Sequence, residues 1–109
     1  MRTELWEILV PTIRDGKPVR TRYHRVWDEK VRQIANGLTI LTPAKGQWVD
    51  ADGDVIHERM IPVRIACSYE EIRAIAKMTI VYYNQDAVMY YKVSDLCIIE
   101  NRDECVSTA

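Results

Sequence analysis

The stretch IPVRIACSYEEIRAIAKMTIVYYNQDAVMYYKV, residues 61 to 93, changes its periodicity twice. IPVRIACS (61 to 68) is apolar and β-branched, and reads as a strand with Pro62 at a strand start, bulge or edge. Ser68 and Glu71 then form the pattern S-x-x-E, in which each side chain satisfies a backbone amide of the other residue and a helix begins. Ile72, Ile75, Ala76, Thr79, Ile80 and Tyr83 follow at helical spacing. Asn84, Gln85 and Asp86 break the helix, and AVMYYKV (87 to 93) returns to strand by β-propensity. This is one strand-helix-strand unit.

Working outward, the N-terminal half repeats the plan. ELWEILVPTI (4 to 13) is a strand that ends in the turn-forming DGKPV. Tyr23, Val26, Trp27, Val31, Ile34 and Ala35 lie on one helical face, with Thr21 as the expected cap and Asn36-Gly37 as a left-handed stop. Arg22, Arg25, Glu29 and Arg32 occupy the opposite face. LTIL (38 to 41) is a short strand. GQWVDADGDVIHE (46 to 58) then carries Asp-Gly, a strong hairpin signal because both residues tolerate positive φ. VIHERM is the returning strand, and LCII (96 to 99) a last short one. The order is β-α-β-(hairpin)-β-α-β, an α+β protein of the ferredoxin-like plan, with an antiparallel sheet and two helices on one face. Residues 1 to 100 make one domain, and 101 to 109 read as a frayed tail.

The run GLTILTPAKGQWVDADGDVIHE (37 to 58), followed by YYNQDAVMYY (82 to 91), resembles a small bacterial α+β family of unassigned function. In that family a helix ends in Gly-Leu-Thr, a Gly-Gln-Trp turn follows, and Asp-Gly leads to an acidic residue. A later helix has an aromatic end and a Gln-x-x-Val step into the last strand. The likeness spans roughly residues 37 to 93 and implies a ferredoxin-like fold and dimerisation, but brings no activity. The basic first helix and acidic C-terminal segment depart from the family pattern.

The chain has 109 residues, 48% hydrophobic and 28% charged, with a net charge of −1. That size supports one domain with its own core. The near-neutral charge gives no electrostatic footprint for nucleic acid. The charges are nevertheless segregated. Arg14 to Arg32 holds seven basic residues against three acidic ones, whereas the hairpin carries Asp50, Asp52, Asp54 and Glu58. Three cysteines without close pairing, Cys67, Cys97 and Cys105, imply no disulfide framework. The N-terminal apolar run contains Glu4 and Glu7 and is neither a signal peptide nor an anchor, so a cytoplasmic location is expected.

Two helices cover one face of an antiparallel sheet, and a solvated second face would alternate cleanly to polar residues. Here it does not. Leu5 and Leu9 flank Glu7, and both faces of 87 to 93 carry apolar or aromatic groups. The expected remedy is a homodimer packed sheet on sheet; the alternative is that the hairpin and C-terminal segment fold over the sheet.

The acidic loop fails as a calcium site. Counted from Asp50, glycine falls at position four instead of six, and position twelve is Ile61 instead of glutamate. Two histidines without Cys-x-x-Cys or His-x-x-x-His spacing offer no zinc site. No metal and no organic cofactor is expected. His24 reads as an i,i+4 surface partner of Asp28. His57 is the candidate general base, because its pKa lies near neutrality. Cys67 would need an activating base that the sequence does not place. Arg22 and Arg25 suit a small anion, with Tyr23, Trp27, Trp48 and Tyr91 as further ligand-binding candidates around it. The leading expectation is a homodimeric binding or accessory protein that holds a small anionic molecule or a protein partner at the dimer cleft. Its rival is a cofactor-independent enzyme of the dimeric α+β-barrel type. Nucleic-acid binding is the third reading, and the net charge argues against it.

Overall fold

The computed structural model describes residues 1–105, so the end of the expected tail, 106 to 109, lies outside the described residues. The chain runs β1 (Arg2–Pro11), β2 (Ile13–Arg14), β3 (Lys17–Pro18), α1 (Thr21–Ala35), β4 (Thr39–Ile40), β5 (Ala44–Val49), β6 (Val55–Cys67), α2 (Tyr69–Tyr82), β7 (Tyr90–Ile98) and a 3-10 turn, Arg102–Cys105. The order across the main sheet is β4-β6-β1-β7, and β5 continues the β4 edge by pairing with β6. All its pairings are antiparallel. This is the ferredoxin-like α+β fold that the strand-helix-strand halves predict.

Local chemistry explains most boundaries. At α2, the Ser68 side chain accepts from the Glu71 amide and the Glu71 carboxylate accepts from the Ser68 amide, at 3.2 and 2.9 Å. At the end of α1, Asn36 adopts the left-handed conformation at φ 66°. The start of α1 differs from expectation. Arg20, not Thr21, holds the cap position, and no side chain caps the helix there. Asp15 and Gly16 both have positive φ and close a two-residue hairpin between β2 and β3.

The segments expected as separate strands on either side of Met60 form one strand of 13 residues, β6. Pro62 is accommodated inside it because of which side its nitrogen faces. In an antiparallel strand a residue's N–H and C=O point to the same neighbour. The Pro62 carbonyl accepts from the Leu41 amide at 2.9 Å, in the gap between Ile40 of β4 and Ala44 of β5. The missing donor therefore faces an interruption in the ladder. Similarly, β7 runs unbroken from Tyr90 to Ile98, with register irregularities against Thr3, Leu5 and Trp6.

The core lies between the sheet and the two helices. Trp6, Ile8 and Val10 of β1 and Val63, Ile65 and Cys67 of β6 meet Trp27 and Val31 of α1 and Ile72 and Ile75 of α2. Trp27 is 1% exposed and donates from Nε1 to the Thr79 hydroxyl at 2.9 Å, which joins the helices. Val26, expected on the same face, is exposed. On the sheet's other face Glu7 is buried, bonded by Arg64 at 2.9 Å and by the Tyr91 hydroxyl. Met89, Tyr91 and Val93 are exposed there. The β5–β6 hairpin continues the sheet beyond the end of β1, and its β5 residues border a hollow on that face beside Glu7 and Tyr91. β6 runs past the last β1 pairing, Pro11 with Met60, by the five residues Val55–Arg59, and the described chain is 64 × 29 × 24 Å.

Replacing Ser68 with alanine removes one side of the capping box and is expected to cost about 1 kcal/mol. Urea unfolding should show a lower midpoint at an unchanged slope, because the surface exposed on unfolding stays the same.

Candidate functional site

Because β1 stops at Pro11 while β6 continues, the flank of β6 between Val55 and Arg59 has no strand beside it on the β1 side. A cleft of about 840 Å³ opens there. The hairpin borders it with Trp48, Ile56 and Glu58 from one face of the sheet and with His57 from the other. The opposite side comes from the end of β1, the segment after β3, His24 of α1 and the connection Gln85–Met89. Its frame is cross-braced. The Thr12 hydroxyl donates to the Arg59 carbonyl at 2.6 Å, and the Gln85 amide donates to the Ile13 and Tyr83 carbonyls at 3.1 and 2.9 Å.

The Gly-Gln-Trp segment has a steric role on the hairpin. A Cβ on Gly46 would lie 2.3 Å from Met60 Cε and 3.3 Å from Trp48 Nε1. The glycine leaves room for the Met60 side chain and the Trp48 indole, whose Nε1 donates to Glu58 at 2.9 Å. Trp48 keeps 38% exposure and borders the cleft at the edge of the sheet.

Both histidines of the chain line this one cleft. His57 is exposed on β6, opposite Gln47. His24 is half-buried, and its hydrogen bond runs from Nδ1 to the Tyr83 hydroxyl at 2.6 Å, not to Asp28 as expected. Burial lowers the His24 pKa from its ordinary value of 6.5, against the pull of the Asp28 charge. Burial likewise pushes the Tyr83 phenol well up, so it stays protonated and able to donate.

The other expected ligand residues are dispersed. Arg22 and Arg25 are exposed on α1 and are not among the cleft-lining residues. Trp27 is core, so it offers no stacking face. Tyr23 is already stacked on Tyr82, with centroids 4.1 Å apart, and the Tyr82 hydroxyl donates to its carbonyl at 2.8 Å. Tyr91 borders a second, shallower hollow of about 540 Å³ on the outer sheet face, beside Glu7 and Trp48. Cys67 is buried, and burial pushes its thiol up to about 12 with help from the Glu71 and Glu4 charges, which leaves it un-ionised at neutral pH. The contribution of His24 escapes sequence reasoning because its partner is 59 residues away.

No protein-family model matches the chain, and no curated protein matches it in sequence. Solved structures share the fold at low identity. The CutA1 divalent cation tolerance protein of Thermus thermophilus is 12% identical, with a TM-score of 0.62 over 95% of this chain and 90% of that one. CutA1 of Oryza sativa is 9% identical, with a TM-score of 0.64 over 95% and 87%. A phage SAM lyase in complex with S-methyl-5′-thioadenosine is 16% identical, with a TM-score of 0.60 over 83% and 88%. The chain therefore has the α+β ferredoxin-like fold found in CutA1 proteins. Among the described residues no group of three or more His, Cys, Asp or Glu could hold a metal ion, and no helix is long and apolar enough to cross a membrane.

The lowered His24 pKa fixes the sign of a pH effect. The folded chain holds the His24 proton less tightly than the unfolded chain, so the linked stability is complete above 6.5 and is lost as pH falls through 6.5 toward the lower folded value. Chemical unfolding between pH 7.5 and 5 should show a decline in wild type that is shallower in His24→Gln.

Proposed function

We propose that this chain is a homodimeric binding protein that holds a small, flat-ringed ligand of the nucleoside class in the cleft at the root of its hairpin. The observation that carries this reading is one preformed, largely apolar cleft at the unpaired flank of β6, which Trp48 borders from the outer face of the hairpin and His24 and His57 from the helix face. Clefts of several hundred Å³ with few, well-placed polar groups are the usual form of small-molecule sites. An indole fixed by Glu58 suits a base or other flat ring, and Gln85 and the histidines suit its polar edge. The phage SAM lyase, solved with S-methyl-5′-thioadenosine, shows a protein of this fold with a ligand of that class. Arg59 lines the cleft and Arg22 and Arg25 do not, so a purely anionic ligand is the weaker fit.

Dimerisation rests on the outer sheet face. Met89, Tyr91 and Val93 are exposed there, in or beside β7. A second copy laid sheet on sheet would bury them and border the hollow between Glu7 and Trp48. The three free thiols suit a reducing compartment, and we place the protein in the cytoplasm. His57 in the same cleft supports a second reading, a cofactor-independent enzyme with His57 as general base.

Calorimetric titration with S-methyl-5′-thioadenosine tests the ligand. Binding should weaken by about 1–3 kcal/mol in Trp48→Ala, the range for loss of one base-stacking platform. No binding to wild type would overturn the nucleoside assignment. Turnover of the bound ligand that disappears in His57→Ala would favour the enzyme. Light scattering should give twice the chain mass for wild type and a monomer for Met89→Asp; a monomeric wild type would remove the dimer.

A further inference from the structure

We propose that Tyr83 locks His24 as the neutral tautomer with its hydrogen on Nε2, so that the cleft meets a fixed hydrogen-bond donor and selects ligands that present an acceptor, such as a purine ring nitrogen or a carbonyl oxygen. Tyr83 is then a positioning residue and His24 a specificity-determining one. The inference rests on the cleft being a small-molecule site.

Tyr83 has no exposed surface, so its hydroxyl hydrogen needs an acceptor inside the protein. Among the described residues the hydroxyl's partner is His24 Nδ1, at 2.6 Å. Two proton arrangements fit that distance. If Nδ1 carried the hydrogen, the phenol would accept it and its own hydrogen would be left without a partner in a buried place, at a cost of about 1–3 kcal/mol. If Tyr83 donates, every hydrogen is used and Nδ1 is an acceptor. A neutral imidazole then carries its hydrogen on Nε2. Protonation of His24 would create the same orphan, in keeping with the lowered pKa that burial gives this ring.

The phenol cannot easily turn away. The Tyr83 amide donates to Thr79 O at 3.0 Å, its carbonyl accepts from Gln85 at 2.9 Å, and its ring stands edge-on to Tyr82 and Tyr23, with centroids 5.2 and 5.7 Å away. On the His24 side, the bond to Tyr83 is the ring's one hydrogen bond among the described residues, which leaves Nε2 as the polar atom available to the cleft. Donation into Nδ1 also polarises the ring and strengthens Nε2–H as a donor. Across the cleft His57 makes no hydrogen bond that would hold one tautomer among the described residues, so the two histidines are not equivalent.

Nitrogen-15 spectra of the histidine rings at pH 7.5 decide the tautomer. We expect His24 with a protonated Nε2 and a bare Nδ1 in wild type, a shift toward mixed tautomers in Tyr83→Phe, and no change at His57. A protonated Nδ1 in wild type, or an unaltered His24 signal in folded Tyr83→Phe, would overturn the lock. Should Tyr83→Phe fail to fold, the wild-type spectrum alone decides. Titration with S-methyl-5′-thioadenosine then tests recognition. Affinity should fall about three- to tenfold in His24→Leu, the size of one neutral hydrogen bond, and be largely kept in His24→Gln, whose amide nitrogen stands near the place of Nε2. Equal affinity of His24→Leu and wild type would overturn the donor role. A wild type that binds no probe defeats the nucleoside reading instead, and the ring spectra still settle the tautomer.

Discussion

The ladder between β1 and β6 is the constraint on which the rest of the molecule depends. Eight registered pairs run from Glu4 opposite Cys67 to Pro11 opposite Met60. The alternation of this ladder puts Trp6 beside Ile65 and Ile8 beside Val63 under the helices, and Glu7 beside Arg64 on the other face. A slip of one residue would carry the charged pair into the core and the core residues out of it. The outer face reinforces the register. Arg64 of β6 and Tyr91 of β7 both bond the buried carboxylate of Glu7 on β1, so three neighbouring strands are tied at one level. Once that level is fixed, β4 and β5 take the far edge of β6, and β7 closes on β1.

The cleft is a product of unequal strand lengths. β1 ends where the chain turns off at Pro11, and β6 does not. Into the vacated space come the segment after β3, the first turn of α1 and the link between α2 and β7, none of which is itself a regular wall. Such ground is where binding sites collect, because loops held on a rigid frame can vary in chemistry without disturbing the core. The solved structures that share this fold make the same point. A divalent cation tolerance protein and a SAM lyase have the same scaffold under different activities, so the scaffold alone does not choose between them.

How far the sequence disclosed this depends on the range of the interaction involved. The capping box at Ser68 and Glu71 and the left-handed stop at Asn36 are decided within four residues, and both were legible. The two strand-helix-strand halves and the hairpin followed from periodicity. Thr21 has the side chain of a cap, but the chain enters α1 one residue earlier and Arg20 takes the position. The unity of β6 was hidden because Pro62 breaks a strand only when its nitrogen faces a neighbour, and the residue on that side, Leu41, is remote in sequence. Trp48 and His57 could be singled out at the ends of the hairpin. His24 could not, since Tyr83 and the cleft are built by residues distant in the chain. Tyr23 and Trp27 show the reverse case: their side chains suit a ligand, but Tyr82 and Thr79 already occupy them.

The projecting hairpin also behaves as a ruler. Each residue in a strand advances the chain by about 3.3 Å and turns its side chain to the opposite face. Adding two residues to both β5 and β6 would therefore move the tip outward by roughly 7 Å and leave Trp48, Ile56 and Glu58 on their present side. Adding one to each at the hairpin's base would turn all three over. Relatives with longer or shorter arms should thus differ by even steps if they keep an aromatic wall, and reach can evolve separately from what the wall is made of.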